Sequence, residues 1–268
     1  YFNKYILPEF KFWFSYGMII NKYSWFSNLR SLQKQKEVMK YMFDFVGWQR
    51  EDVVKAFTKH EAQVLGDKMR SVGDCGGLAK YVLGPILKCF DFACAKVFDR
   101  FWGVGQSYQD KARKFNRMRS LGLYYCVSLD ISGMDQSHNQ LIKKVWIDLV
   151  HEFVNTLITI VHVPPELIEL IALKTITNIS YEIRKETGHE VIAQVRIRDK
   201  MASGQPYTTV LNTTLMCVSL MYIEWRYKIT MGGSVSGDDV GLLTDCPDMD
   251  YVKYCFGQVF TSNETKDA

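Results

Sequence analysis

Apolar and polar positions alternate in blocks along the chain, and the blocks predict helices and short strands in mixed order. Residues 28–45 predict a helix opened by Asn28. Residues 53–72 alternate apolar and basic positions around Gly66, which predicts two short strands joined by a turn. Residues 81–101 predict a largely buried helix, and residues 107–119 a basic one. A β-like run from Leu123 to Leu129 ends at Asp130. Residues 137–160 predict a helix, and Pro164 and Pro165 break it and open another through about Thr177. Ser180–Arg184 and Glu190–Ile197, around Thr187-Gly188, predict a hairpin. The loop Ser203-Gly204-Gln205-Pro206 precedes a long helix over 207–227. Ile229 to Gly237 and Val240 to Leu243 flank a tight Gly-Asp-Asp turn, and Asp248 to Phe260 predicts a last helix.

Composition narrows the class. The 268 residues are 47% hydrophobic and 23% charged, enough to bury a core and to exclude a disordered chain. No Ser/Pro-rich linker divides them, so the parts are expected to interleave in one body. Phe10, Phe12, Trp13, Phe14 and Tyr16 crowd one stretch and predict a packed edge rather than a surface that docks another element. Seven cysteines, none in a C-x-x-C pair, argue against a disulfide framework or a zinc site and for a reducing compartment. Buried packing is their expected role. His138, His151, His162 and His189 lack ligand spacing, and Trp146 and Trp225 are expected in the core. The uncharged stretches near 12–21 and 153–165 are too short for a membrane span of about 20 residues. A chain that opens on Tyr is expected to lack its true N-terminus.

The net charge of +4 hides an asymmetry. Residues 1–120 carry 21 Lys and Arg against 11 Asp and Glu, whereas residues 121–268 carry 12 against 18. A basic half joined to an acidic half suggests a polyanionic partner beside clustered carboxylates. Three segments could supply the chemistry. In Val235-Ser236-Gly237-Asp238-Asp239-Val240, adjacent acids sit between β-like runs, a costly arrangement unless a cation joins them. In Asp130-Ile131-Ser132-Gly133-Met134-Asp135, one acid ends a strand and a second follows five residues later. In Ser203-Gly204 through Asn212, Thr208 and Asn212 share one helix face beneath a flexible loop. Taken singly, these are an ordinary hairpin turn, a helix cap and a solvated helix start.

Together and in this order, with Asp130 and Asp238 108 positions apart, they resemble motifs A, B and C of the RNA-dependent RNA polymerases of positive-strand RNA viruses. Asp130 and Asp135 match motif A. Ser203, Gly204, Thr208 and Asn212 match motif B, and Gly237, Asp238 and Asp239 match motif C. Lys59-His60-Glu61 through Lys68-Met69-Arg70 looks like motif F, and Phe256-Gly257 through Lys266 like motif D. Ser236 stands where many relatives carry Tyr, and no segment resembling motif E or a thumb follows. The chain is therefore expected to be part of a longer polymerase.

The resemblance implies an α+β fold: a right-hand palm, its small antiparallel sheet packed on helices, with largely helical fingers and no thumb. Palm pieces would be 121–160 and 201–268, and fingers pieces 1–120 and 161–200. It implies nucleotidyl transfer from an NTP to an RNA 3′ end by two Mg²⁺ ions, for which Mn²⁺ could substitute. Two such ions about 3.5–4 Å apart stabilise both the attacking and the leaving oxygens. Asp130 and Asp238 would bridge the ions, Asp239 would be an outer ligand, and Ile131 would add its carbonyl. Asp135 and Asn212 would read the ribose 2′-hydroxyl, with Ser203 or Thr208 nearby. Lys59, Lys68 and Arg70 would hold the triphosphate, and Lys266 would protonate pyrophosphate. The basic run Lys111, Arg113, Lys114, Arg117 and Arg119 could track template phosphates or form a solvated face. Expected partners are an RNA template, a primer or product strand, ribonucleoside triphosphates and viral replication proteins, at membrane-associated replication complexes in the host cytoplasm. A reverse transcriptase, which usually carries a bulky aromatic in place of Asp135, and an inactive nucleic-acid-binding piece of a polymerase are the alternatives.

Overall fold

The computed structural model describes residues 2–9, 12–13, 53–58, 71–74, 87, 89–131, 134, 178–184, 190–198 and 208–260. The expected helices at 28–45, 137–160 and 164–177 lie outside them, as do Cys75 and Trp146. The chain divides into two compact units. Each draws on both the basic and the acidic half of the sequence, so the halves interleave.

One unit comprises residues 15–89 and 135–208. Its described strands are β1 (Val53–Thr58), β2 (Ser71–Asp74), β4 (Asn178–Arg184) and β5 (Val191–Arg198), in the order β2-β1-β4-β5. The β1–β2 pair is antiparallel, as the alternation around Gly66 predicts, but the second strand starts only at Ser71. The β4–β5 hairpin also forms, with a register shift at Ile183/Arg184. Strand β1 pairs with β4 in parallel, Val53 opposite Ser180.

The other unit comprises residues 1–14, 90–134 and 209–268. Residues 89–97 are helical, and the helix ends there rather than running to 101. The next residues line up beside a strand instead. The carbonyls of Arg100 and Phe101 accept from the Gly233 and Val235 N–H groups at 3.0 and 2.8 Å, and the Gly103 N–H donates to the Val235 carbonyl at 2.9 Å. The strand's N–H groups thus satisfy the carbonyls of Arg100 and Phe101 just beyond the helix end.

Helix α1 (Tyr108–Ser120) starts at a capping box. The Ser107 hydroxyl accepts from the Asp110 N–H at 3.2 Å, and the Asp110 carboxylate accepts from the Ser107 N–H at 3.2 Å. The Ser107 hydroxyl, 2.6 Å from the Asp110 carboxylate, and then the Ser107 N–H hold that carboxyl below its usual range. The helix stops at Gly122, whose φ of +90° is open to glycine. There the Leu123 N–H reaches the Met118 carbonyl and the Gly122 N–H that of Arg119, a Schellman closure. Leu123 and Met118 also pack together with Leu243 and Phe115, which completes the motif's hydrophobic contact.

That closure feeds β3 (Tyr125–Asp130), the outer strand of an antiparallel sheet ordered β3-β7-β6, with β6 Met231–Ser236 and β7 Asp239–Thr244. Helix α1 packs on β6 and β7. Helix α2 (Thr208–Tyr227) precedes the β6–β7 hairpin, and α3 (Met249–Gly257), capped by the Asp248 side chain, follows it. Helix α2 is buried on nearly every face, with Leu211, Met216, Cys217, Leu220 and Ile223 among the most enclosed residues. Trp225 departs from expectation. It is 47% exposed near the end of α2, with the Lys228 ammonium 5.8 Å from its ring centre.

Among the described cysteines all are free. Cys89, Cys94, Cys217 and Cys255 are buried as expected, but Cys126 is exposed and Cys246 partly so. Burial pushes the Cys94 and Cys217 thiols up. Among the described residues no helix is long and apolar enough to cross a membrane.

Candidate active site

Strand β3 ends where β7 begins. The register is continuous over six pairs, from Tyr125 opposite Thr244 to Asp130 opposite Asp239. Strand β6 pairs with the same strand from the other side, so Ser236 also lies opposite Asp239. The β6–β7 connection is therefore a two-residue turn, Gly237-Asp238. Gly237 has φ +70° and Asp238 a negative φ, the pattern of a type II′ turn with glycine first. The apolar runs on either side of Gly-Asp-Asp predict both acids at the tip. Only Asp238 sits in the turn, while Asp239 is the first residue of β7 and the register partner of Asp130.

The sheet thus brings residues 130, 238 and 239 to one corner, although more than a hundred positions separate the first from the others. Such opposed antiparallel residues have Cα atoms about 4.5–5.5 Å apart. Asp238 is partly exposed and Asp239 exposed. Among the described residues neither carboxylate has a hydrogen-bond or ion-pair partner. Asp238 and Asp239 could offer carboxylates to a cation such as Mg²⁺, which takes one or two carboxylates and keeps waters. Among the described residues no three His, Cys, Asp or Glu side chains are gathered. Ile131 follows Asp130 directly and is half-buried.

Helix α2 supports the corner. Thr208 and Asn212 are both buried, at 8% and 4% exposure, so neither is a solvated helix-start residue. The residue after Asn212, Thr213, lies outside the motif positions. The Thr213 hydroxyl donates to the Thr209 carbonyl at 2.7 Å and accepts the Gly237 N–H at 2.7 Å. Threonine back-bonding inside a helix is common and marks no function, so no signal in the sequence singles out Thr213. A second bond of this kind, from Thr214 to the Val210 carbonyl at 2.8 Å, lies deeper in the core.

A half-buried carboxylate holds the far end of the hairpin. Glu224 accepts from the Met231 N–H at 2.6 Å and from the Arg100 guanidinium. Burial holds its carboxyl above the usual range, against the lowering effect of Met231 and Arg100.

The basic stripe of α1 is largely engaged. Lys114 turns inward to the Trp102 carbonyl at 2.6 Å, and burial lowers its ammonium. Arg113 lies 3.6 Å from Asp110 and Arg117 3.7 Å from Asp99. Among the described residues Lys111 and Arg119 have no such partner. Asp135, Ser203, Gly204, Lys59, Lys68, Arg70 and Lys266 lie outside the described residues.

No family model matches the chain, and no curated protein matches it by sequence. Solved structures do. The RNA-dependent RNA polymerase of a human picobirnavirus aligns with 77% of this chain at a TM-score of 0.56 and 15% identity. The insertion-loop deletion mutant of that polymerase aligns equally well. The chain spans about two fifths of their length, 38% and 39% respectively. At this identity the likeness shows the fold: mixed helices and a small antiparallel sheet, arranged as in a viral RNA-dependent RNA polymerase.

Proposed function

We propose that this chain is the palm and fingers portion of a viral RNA-dependent RNA polymerase, adding ribonucleotides to an RNA 3′ end. The observation that carries the proposal is the register of Asp130 with Asp239 beside the Gly237-Asp238 turn, in a fold of this kind. The positive-strand assignment rests on the motif resemblance alone.

In this reading 121–160 and 201–268 form the palm, and 1–120 and 161–200 the fingers. Asp130 and Asp238 hold the Mg²⁺ ions, with Asp239 outside them and the Ile131 carbonyl as a further ligand. When bound, the ions stabilise charge on the attacking and leaving oxygens. The protein's own contribution is placement. The backbone ladder sets the spacing of the acids before any ligand arrives, so little reorganisation is needed when the triphosphate binds. Asp135 and Asn212 read the ribose hydroxyl, a group that both donates and accepts and so suits a carboxylate–amide pair. Ser203, Gly204 and Thr208 line the approach, Lys59, Lys68 and Arg70 neutralise the triphosphate, and Lys266 protonates the departing pyrophosphate. RNA strands and viral replication proteins are the partners, at membrane-associated sites in the host cytoplasm.

Template-directed NTP incorporation by the purified chain, with Mg²⁺ and a primed RNA, tests the proposal. Loss of interactions worth several kcal/mol predicts that Asp238→Ala lowers incorporation about 100-fold or more. RNA binding should stay within about twofold. Incorporation unchanged by Asp238→Ala would overturn the assignment.

A further inference from the structure

We infer that Thr213 is a positioning residue for the metal-binding turn, an inference that rests on the polymerase reading above. The donor and acceptor roles at this residue are forced. A backbone N–H can only donate and a backbone carbonyl can only accept, so the single hydroxyl proton goes to the Thr209 carbonyl. A lone pair on the same oxygen then takes the Gly237 N–H. Both bonds are 2.7 Å and the residue is fully buried, so water cannot stand in for either.

The place of this bond gives it consequence. Gly237 is the first turn residue and Asp238 the next, joined by one planar peptide. Among the described residues, the Thr213–Gly237 bond is the turn's one hydrogen bond to another element. The β-ladder sets where residue 239 sits, but the turn beyond Ser236 is held from outside by this hydroxyl. Helix α2 also carries Asn212 one position earlier. Thr213 therefore ties the turn bearing a metal-binding acid to the helix bearing a ribose-reading residue. A turn set loose by even about 1 Å can lose about 100-fold in rate. Binding of the nucleotide, which depends on other groups, changes little.

Three variants of the full chain test this: Thr213→Val, which keeps shape and removes the hydroxyl, Thr213→Ser, which restores it, and Thr213→Cys, whose thiol is a weak acceptor. Amide exchange at Gly237 reads the bond directly, without any activity. Thr213→Val should speed that exchange at least about tenfold, lower kcat about 10–100-fold, and leave KM for NTP within about twofold. Thr213→Ser should restore both exchange and kcat. Should Thr213→Val not fold at assay temperature, Thr213→Cys replaces it with the same direction of effect. Wild-type exchange or wild-type kcat in the hydroxyl-free variant overturns the inference, and so does a Thr213→Ser variant as impaired as Thr213→Val. If the wild-type chain incorporates no nucleotide, the polymerase reading fails. Gly237 exchange and the affinity of the turn for Mn²⁺ alone, expected to weaken about tenfold in Thr213→Val, then decide the role of Thr213 separately.

Discussion

Asp130 and Asp239 are register partners: the last residue of β3 lies opposite the first residue of β7. Like charges directly opposed in a ladder destabilise by about 0.2–1 kcal/mol. A divalent cation between two opposed carboxylates would turn the repulsion into attraction.

Metal-free protein should show that repulsion. Asp239→Asn is expected to raise the melting temperature in chelator and to reduce the further rise that Mg²⁺ gives the wild type. Melting curves with and without Mg²⁺ check it. A variant less stable than wild type in chelator would mean that the opposed acids do not repel.

Ribose selection is assigned to Asp135 and Asn212. Either residue changed to Ala should reduce the preference for NTP over dNTP about tenfold or more, because a lost hydrogen-bonding partner costs about 1–3 kcal/mol. Single-nucleotide incorporation with matched NTP and dNTP measures it. An unchanged ratio in both variants would remove the selector role.

Glu224 has a pH signature with a definite sign. Its carboxyl is raised by burial, so the folded state holds the proton more tightly than the unfolded state does. Stability from this group is full below the ordinary glutamic-acid range and is lost as pH rises through the raised value. The melting-temperature difference, wild type minus Glu224→Gln, should therefore fall as pH rises above the ordinary glutamic-acid value of about 4.3. A difference that grows with pH would mean that the Arg100 ion pair outweighs burial. Glu224→Ala should be worse at any pH, since it strands the Met231 N–H at a cost of about 1–3 kcal/mol.

Strand β6 has no room for a side chain at Gly233. A Cβ there would lie 2.2 Å from the Gly241 carbonyl oxygen, which is backbone and cannot swing aside. Gly233→Ala should cost about 1–3 kcal/mol or more. Chemical denaturation checks this, and because the shift distorts the β6–β7 pairing, incorporation should fall with it.

Much of the local structure was written in the chain itself. The basic run 107–119 and the run from Asp248 predicted helices, and Gly237 between two apolar runs predicted a tight turn, because such elements depend on neighbours a few residues away. The order of the three acidic and polar motifs was equally visible. Other features were not. The parallel pairing of β1 with β4 joins segments over a hundred residues apart, and past the helix end at 97 the carbonyls of Arg100 and Phe101 are taken up by β6, which is distant in sequence. Trp225, apolar by type, ends up exposed beside Lys228. The tertiary structure alone decided that residue 130 meets 239 rather than 238, and that the Thr213 hydroxyl holds the turn. The reason is physical: propensity and pattern act over one or two turns of chain, whereas register and buried hydrogen bonds are chosen by whichever distant backbone arrives to satisfy them.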